Sequence, residues 1–99
     1  MEINKEILLE EYNFLLNKLA EINLIKKILE DFSAQEESYI NIGNFIFAKA
    51  KIIDDKRFLV NIGEKIFIEK DKEEIIRILE ENKKKLEERI KEIENILKR

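Results

Sequence analysis

A duplicated stretch constrains this chain more than any other feature. Ile40-Asn41-Ile42-Gly43-Asn44-Phe45-Ile46-Phe47 recurs as Val60-Asn61-Ile62-Gly63-Glu64-Lys65-Ile66-Phe67, with Asn, Ile, Gly, Ile and Phe at matching places. Each copy reads as strand, glycine turn, strand: a β-rich run, a glycine that tolerates φ > 0, then a second β-rich run. Between the copies lies Asp54-Asp55-Lys56-Arg57, a polar turn with no apolar residue. Residues 39–70 are therefore expected to form two tandem β-hairpins. Gly43 and Gly63 are the turn glycines.

No proline and no glycine outside that stretch interrupts the chain, so the flanks are free to run as long helices. The first helix is expected over 4–35, with apolar residues recurring at spacings of three and four as far as Phe32. Leu8, Tyr12, Leu15, Leu19 and Ile22 make one seam, which Ile25, Leu29 and Phe32 continue after a three-residue slip. Leu16, Leu24 and Ile28 widen the stripe. Ser33 to Ser38 is polar and marks the helix exit. The second helix spans 72–99. Asp71 with Glu74 three residues on is a capping-box-like start. Ile76, Leu79, Lys83, Leu86, Ile90, Ile93 and Leu97 keep strict three-four spacing, with Lys83 the polar intruder. Its outer face pairs Glu73/Arg77, Glu80/Lys84, Glu81/Lys85, Glu87/Lys91 and Glu94/Lys98, glutamate first, the favourable order on a helix.

Length then decides the architecture. A helix of about 28 residues is about 42 Å long, whereas a compact 100-residue globule has a radius of gyration of only about 13 Å. Two such helices leave the sheet together as an antiparallel coiled coil, with both chain termini at the far tip. The class is α+β: a long antiparallel coiled-coil hairpin with two tandem β-hairpins at its base, in a single domain of 99 residues. The strands are apolar on both faces, and one face has nothing in the chain to cover it. Exposed aromatic faces and open sheet edges are liabilities in a monomer. Ile40, Ile42, Phe45, Phe47, Phe58, Val60, Ile62 and Phe67 are thus expected to mediate subunit assembly, completing an oligomeric β-barrel.

Composition removes most chemistry. Histidine and cysteine are absent, which excludes an imidazole base, a thiolate, a zinc site and a disulfide. Nineteen basic against 22 acidic residues give a net charge of −3, too balanced for a nucleic-acid partner. No apolar run reaches membrane-span length and the acidic start lacks a signal-peptide pattern, so a soluble, intracellular chain is expected. Asp54/Asp55 and Glu36/Glu37 read as a solvated turn and a helix exit rather than metal ligands. Lys83-Lys84-Lys85, flanked by Glu80, Glu81, Glu87 and Glu88, reads as a solvated face rather than a phosphate site, and Tyr12 packs in the seam with its hydroxyl at the rim. Neither a nucleophile–base pair nor a phosphate loop is found, so no enzyme activity, cofactor or metal is expected. Ile3, Ile7, Leu8, Ile93, Ile96 and Leu97 meet at the tip. They either close the coiled coil or, with Ile7 and Ile96 beside the seams, leave apolar surface at a fraying end.

Helix, two glycine-turn hairpins and helix, with Asp54-Asp55-Lys56-Arg57-Phe58-Leu59-Val60-Asn61-Ile62-Gly63 and then Asp71-Lys72-Glu73-Glu74, resembles the α-class subunit of prefoldin. The resemblance implies a hexamer of two α-class and four β-class subunits. Their strands form a double β-barrel from which coiled coils hang. The tips hold unfolded proteins without nucleotide and deliver them to a group II chaperonin, in an archaeal-type cytoplasm. The helices here are shorter than usual α-class arms, and prefoldin-like relatives that assemble into filaments offer an alternative: a self-assembling structural module with little client binding.

Overall fold

In the computed structural model, which describes residues 4–98 apart from the side chains of Gln35 and Glu36, the chain runs α1 (Lys5–Asp31), β1 (Gln35–Gly43), β2 (Ile46–Ile52), β3 (Arg57–Gly63), β4 (Ile66–Asp71) and α2 (Lys72–Leu97). The expected order and class hold. The molecule is elongated, 59 × 31 × 27 Å with a radius of gyration of 18.3 Å, well above the ~13 Å of a compact chain of this size.

Both helices begin on side-chain caps. Asn4 Oδ1 accepts hydrogen bonds from the amides of Glu6 (3.0 Å) and Ile7 (3.3 Å). Asp71 Oδ1 accepts from the Glu74 amide at 2.8 Å, as its position predicts. The Glu74 carboxylate does not complete a reciprocal box but turns to Lys70 Nζ, 3.9 Å away. The α1–α2 seam buries Leu8, Leu15, Ile90 and Ile93, with Tyr12, Leu19, Leu86, Ile96 and Leu97 packed around them. All of these but Leu19, near the middle of α1, lie in the half of the arm farthest from the strands.

Three expectations about the helices need correction. The seam of α1 does not slip. Ile22 is followed by half-buried Lys26 and Leu29, keeping the four-three spacing, while Ile25 is exposed; a search for apolar residues alone passes over Lys26. Next, α1 ends at Asp31 rather than at 35. The groups just past its end are taken by the segments flanking the second hairpin: the Ala34 amide donates to Asp55 Oδ2 (3.0 Å) in the connection before β3, and Lys72 Nζ at the start of α2 donates to the Phe32 carbonyl (2.9 Å). This frees residue 35 to start β1, so the hairpin region is 35–71 and not 39–70. Last, none of the five expected Glu-to-cation pairs along α2 closes to an ion pair among the described residues. The closest contacts cross to α1 instead: Arg89 to Glu11, and Lys26 to Glu80 at 2.7 Å.

The strands form two separate two-stranded antiparallel sheets, β1–β2 and β3–β4, rather than one four-stranded sheet. Residues 53–56 join them without pairing. Asp54 makes the turn, its Oδ1 accepting from the amides of Lys56 (2.8 Å) and Arg57 (3.2 Å), which hold its carboxyl below the ordinary range. The duplicated motif has the same geometry twice. Asn41 faces Phe47 and Gly43 faces Ile46, leaving Ile42 as a bulge; Asn61, Phe67, Gly63, Ile66 and Ile62 repeat this. Each asparagine holds its bulge, with Oδ1 accepting the glycine amide at 2.8 Å. The glycines precede the turns rather than forming them, with φ of +156° and +139°; the turn residues Asn44, Glu64 and Lys65 also have positive φ.

At Gly63 an added Cβ would meet no atom within 4 Å, so only the backbone opposes a side chain. Gly63→Ala is expected to destabilise by about 1 kcal/mol. Thermal unfolding followed by circular dichroism checks this: an unchanged Tm would show that the positive φ is not required.

Candidate functional site

The hairpins are the first candidate surface. Phe45, at the tip of β1–β2, is 80% exposed, and Ile40, Ile42, Ile46, Phe47, Ile62, Ile66 and Phe67 are exposed with it. Tyr39, Ile53 and Leu59, which the strand pattern did not single out for assembly, are exposed too. Phe58 and Val60 are half-buried. Phe58 packs edge-on to Phe32 with ring centroids 5.5 Å apart, so it ties β3 to the end of α1. With Asp55–Ala34, Lys72–Phe32 and the Lys72 amide donating to the Lys56 carbonyl (2.7 Å), that ring pair docks the second hairpin firmly. The first hairpin has no comparable tie among the described residues. Isolated two-stranded hairpins are marginal in water, so both sheets carry unpaired edges and large apolar side chains that the chain leaves uncovered.

The arm is the second. Ile3 lies outside the described residues. Ile93 is fully enclosed and Leu8 is 9% exposed; Ile96 and Leu97 are half-buried against them. These four close the end of the coiled coil, whereas Ile7 faces outward at 62% exposure. Sequence reasoning passed over Leu9 and Phe14, which are also exposed. Leu16, expected with Leu24 and Ile28 to widen the stripe, is exposed as they are, whereas on α2 the only large exposed hydrophobe among the described residues is Ile78. The signal was present: Ile7 and Phe14 are seven apart, as are Leu9 and Leu16, flanking the seam on either side.

Polar contacts lock the register of the two helices. Arg89 donates to both Glu11 oxygens at 2.8 Å and to Glu92 at 3.0 Å, a bidentate geometry. The Tyr12 hydroxyl donates to Glu94 Oε2 at 3.0 Å. The hydrogen bond from Arg89 holds the Glu11 carboxyl below its ordinary value, Lys26 does the same for Glu80, and the contact to Glu94 raises the Tyr12 hydroxyl. None of these groups is enclosed; they orient helices rather than carry out chemistry.

A coiled-coil arm standing on apolar β-hairpins defines the architectural class. Comparison with known proteins names it. The Prefoldin subunit family profile matches residues 3–99, and the chain belongs to that family, as an α-type subunit. It is 38% identical over 66 residues to prefoldin subunit alpha 1 of Methanocaldococcus jannaschii, covering 67% of this chain and 46% of that one, so the match spans less than half of that relative's length. Over 102 residues it is 26% identical to prefoldin subunit alpha of Archaeoglobus fulgidus, covering 93% of this chain and 74% of the relative. Among solved structures it resembles a filamentous PFD from M. jannaschii determined by cryo-EM, with a TM-score of 0.70 at 20% identity, over 95% of this chain and 86% of the other. That likeness speaks to the fold. No helix among the described residues is long and apolar enough to cross a membrane.

The depressed carboxyls give the arm a pH dependence. Glu11 and Glu80 have folded-state values below their ordinary 4.5, so their contribution is complete above that value and is lost as pH falls through the lower folded-state values. The Tm is expected to drop on acidification below about pH 4.5. Glu11→Gln should start lower and fall less steeply. Parallel pH profiles for the two proteins would contradict the Glu11–Arg89 coupling.

Proposed function

We propose that this chain is the holdase subunit of a prefoldin-type assembly: it binds unfolded proteins without nucleotide and passes them to a group II chaperonin. The carrying observation is the segregation of uncovered apolar surface into a patch on the strands and two short strips on the distal half of α1, Ile7 with Phe14 on one side of the seam and Leu9 with Leu16 on the other. The strand patch suits pairing with β-class prefoldin subunits or further copies of the chain. Burial of apolar area contributes about 25 cal/mol per Å², so the few distal side chains of one arm bind weakly, and several arms on one platform make capture effective. The client contacts are Ile7 with Leu9, Phe14 and Leu16, and Ile3 is proposed with them from its place in the sequence; Leu8, Ile93, Ile96 and Leu97 support them at the tip. Chaperonin delivery and an archaeal-type cytoplasmic setting rest on family membership.

A second reading has its own support. The closed tip and the likeness to a filamentous PFD suit a scaffold in which the platform self-assembles and the arms act as spacers.

Suppression of aggregation of a chemically unfolded model protein separates the two. Truncating 93–99 would remove Ile93, whose loss from an enclosed site costs about 2–5 kcal/mol, so surface substitutions are the cleaner probe. The combined variant Ile7→Ser, Leu9→Ser, Phe14→Ser and Leu16→Ser is expected to keep its helix content and oligomeric mass while losing at least tenfold in suppression. Full suppression by that variant would rule out the α1 flank. No suppression by the unsubstituted chain, with a β-class partner supplied, would favour the scaffold.

A further inference from the structure

Between the base of α1 and the root of the first hairpin lies a groove of about 550 Å³. Its apolar walls are Leu24 and Ile28 of α1 and Tyr39, Ile40 and Ile52 of the hairpin, with Lys27 and Asp31 along the helix side. The groove is continuous with the exposed strand surface, and no described residue fills it.

The chain also carries a plug of matching character. The two hairpins are duplicates that differ at their tips: Glu64-Lys65 on the second, Asn44-Phe45 on the first. A charged tip is costly to desolvate, whereas an aromatic one gains by burial. Asn41 prepares the first tip for enclosure. Its Oδ1 accepts the Gly43 amide at 2.8 Å and its Nδ2 donates to the Asn44 carbonyl at 2.9 Å. Two of the tip's polar backbone groups are thereby satisfied without water. In the second hairpin Asn61 makes the bond to the Gly63 amide, but among the described residues no bond from its Nδ2 to the Glu64 carbonyl forms.

Phe45 cannot reach the groove of its own chain. Tip and groove sit at opposite ends of one hairpin, roughly 16 Å apart at about 3.3 Å per residue. Two copies lying antiparallel would bring each tip to the other's groove, a self-complementary contact. We propose that the tip of the first hairpin, Asn44-Phe45, seats in the Leu24–Ile28–Tyr39 groove of a second copy of this chain. The proposal rests on the reading of the hairpins as an assembly surface and specifies which elements of it meet.

The absence of cysteine allows a direct test with the full chain. Phe45→Cys in a tagged chain is mixed with Ile28→Cys in an untagged one under mild oxidation. Both positions are exposed, so neither change enters the chain's own core. A reducible mixed disulfide, formed several times more readily than with Lys65→Cys in place of Phe45→Cys, is the expected result. Phe45→Asp in the otherwise unchanged chain should also lower the average mass seen by light scattering. Assembled wild-type chain with no preferred 45–28 cross-link, or with mass unaffected by Phe45→Asp, would overturn the tip-in-groove contact and leave hairpin assembly standing. A wild-type chain that scatters as a monomer would overturn both.

Discussion

Everything in this molecule hangs on the packing of α1 against α2 at the end of the arm farthest from the strands. Leu8 and Leu15 meet Ile90 and Ile93 there, and burying each such side chain contributes about 1.5–3 kcal/mol. The seam is tightest at the tip and looser toward the base, where Lys26 and Lys83 occupy positions that aliphatic residues hold elsewhere. The Lys26–Glu80 contact keeps the basal half in register where burial is weaker. An arm built this way is packed most closely where Leu8 and Ile93 meet, and its spare apolar surface lies on α1, to either side of the seam.

The strands make the opposite trade. Backbone pairing, the Asn–Gly bulges and the Asp54 turn fix their local geometry with little help from burial. The ties converging on Phe32 fasten the second hairpin to the arm. The result is a chain whose local structure is well specified and whose apolar surface is left unfinished. Large exposed patches of this kind mark interaction sites, and their position at the base is consistent with a platform shared among subunits.

Legibility in the sequence followed the range of the interactions. Element order, the Asp71 cap and the α2 seam were readable because each depends on residues a few positions apart. The end of α1 was not, because Asp55 and Lys72, far along the chain, terminate it. Charge pairing misled for a similar reason. The Glu-first spacing along α2 is real, yet Glu80 pairs across the seam with Lys26, and Arg89, outside the five expected pairs, reaches Glu11. The duplicated asparagines were visible and their task was not, since a bulge appears only when two strands are registered. At the tip, residue identity alone could not separate Ile7, which points out, from Ile93, which points in. The helical spacing did so, setting Ile93 in the seam and Ile7 beside it, and the same spacing places Leu9, Phe14 and Leu16 beside the seam.

The central claim is that the hairpins of one chain are completed by other chains. Amide hydrogen exchange across residues 46–52 and 57–63, at micromolar and nanomolar concentration, tests it most directly. Alternate amides in each strand point to an edge that is unpaired within a single chain. The account predicts that these amides are protected in the concentrated sample and exchange like a free peptide on dilution, while α1 and α2 keep their protection near Leu15 and Ile90. Edge amides that exchange freely at every concentration would contradict it.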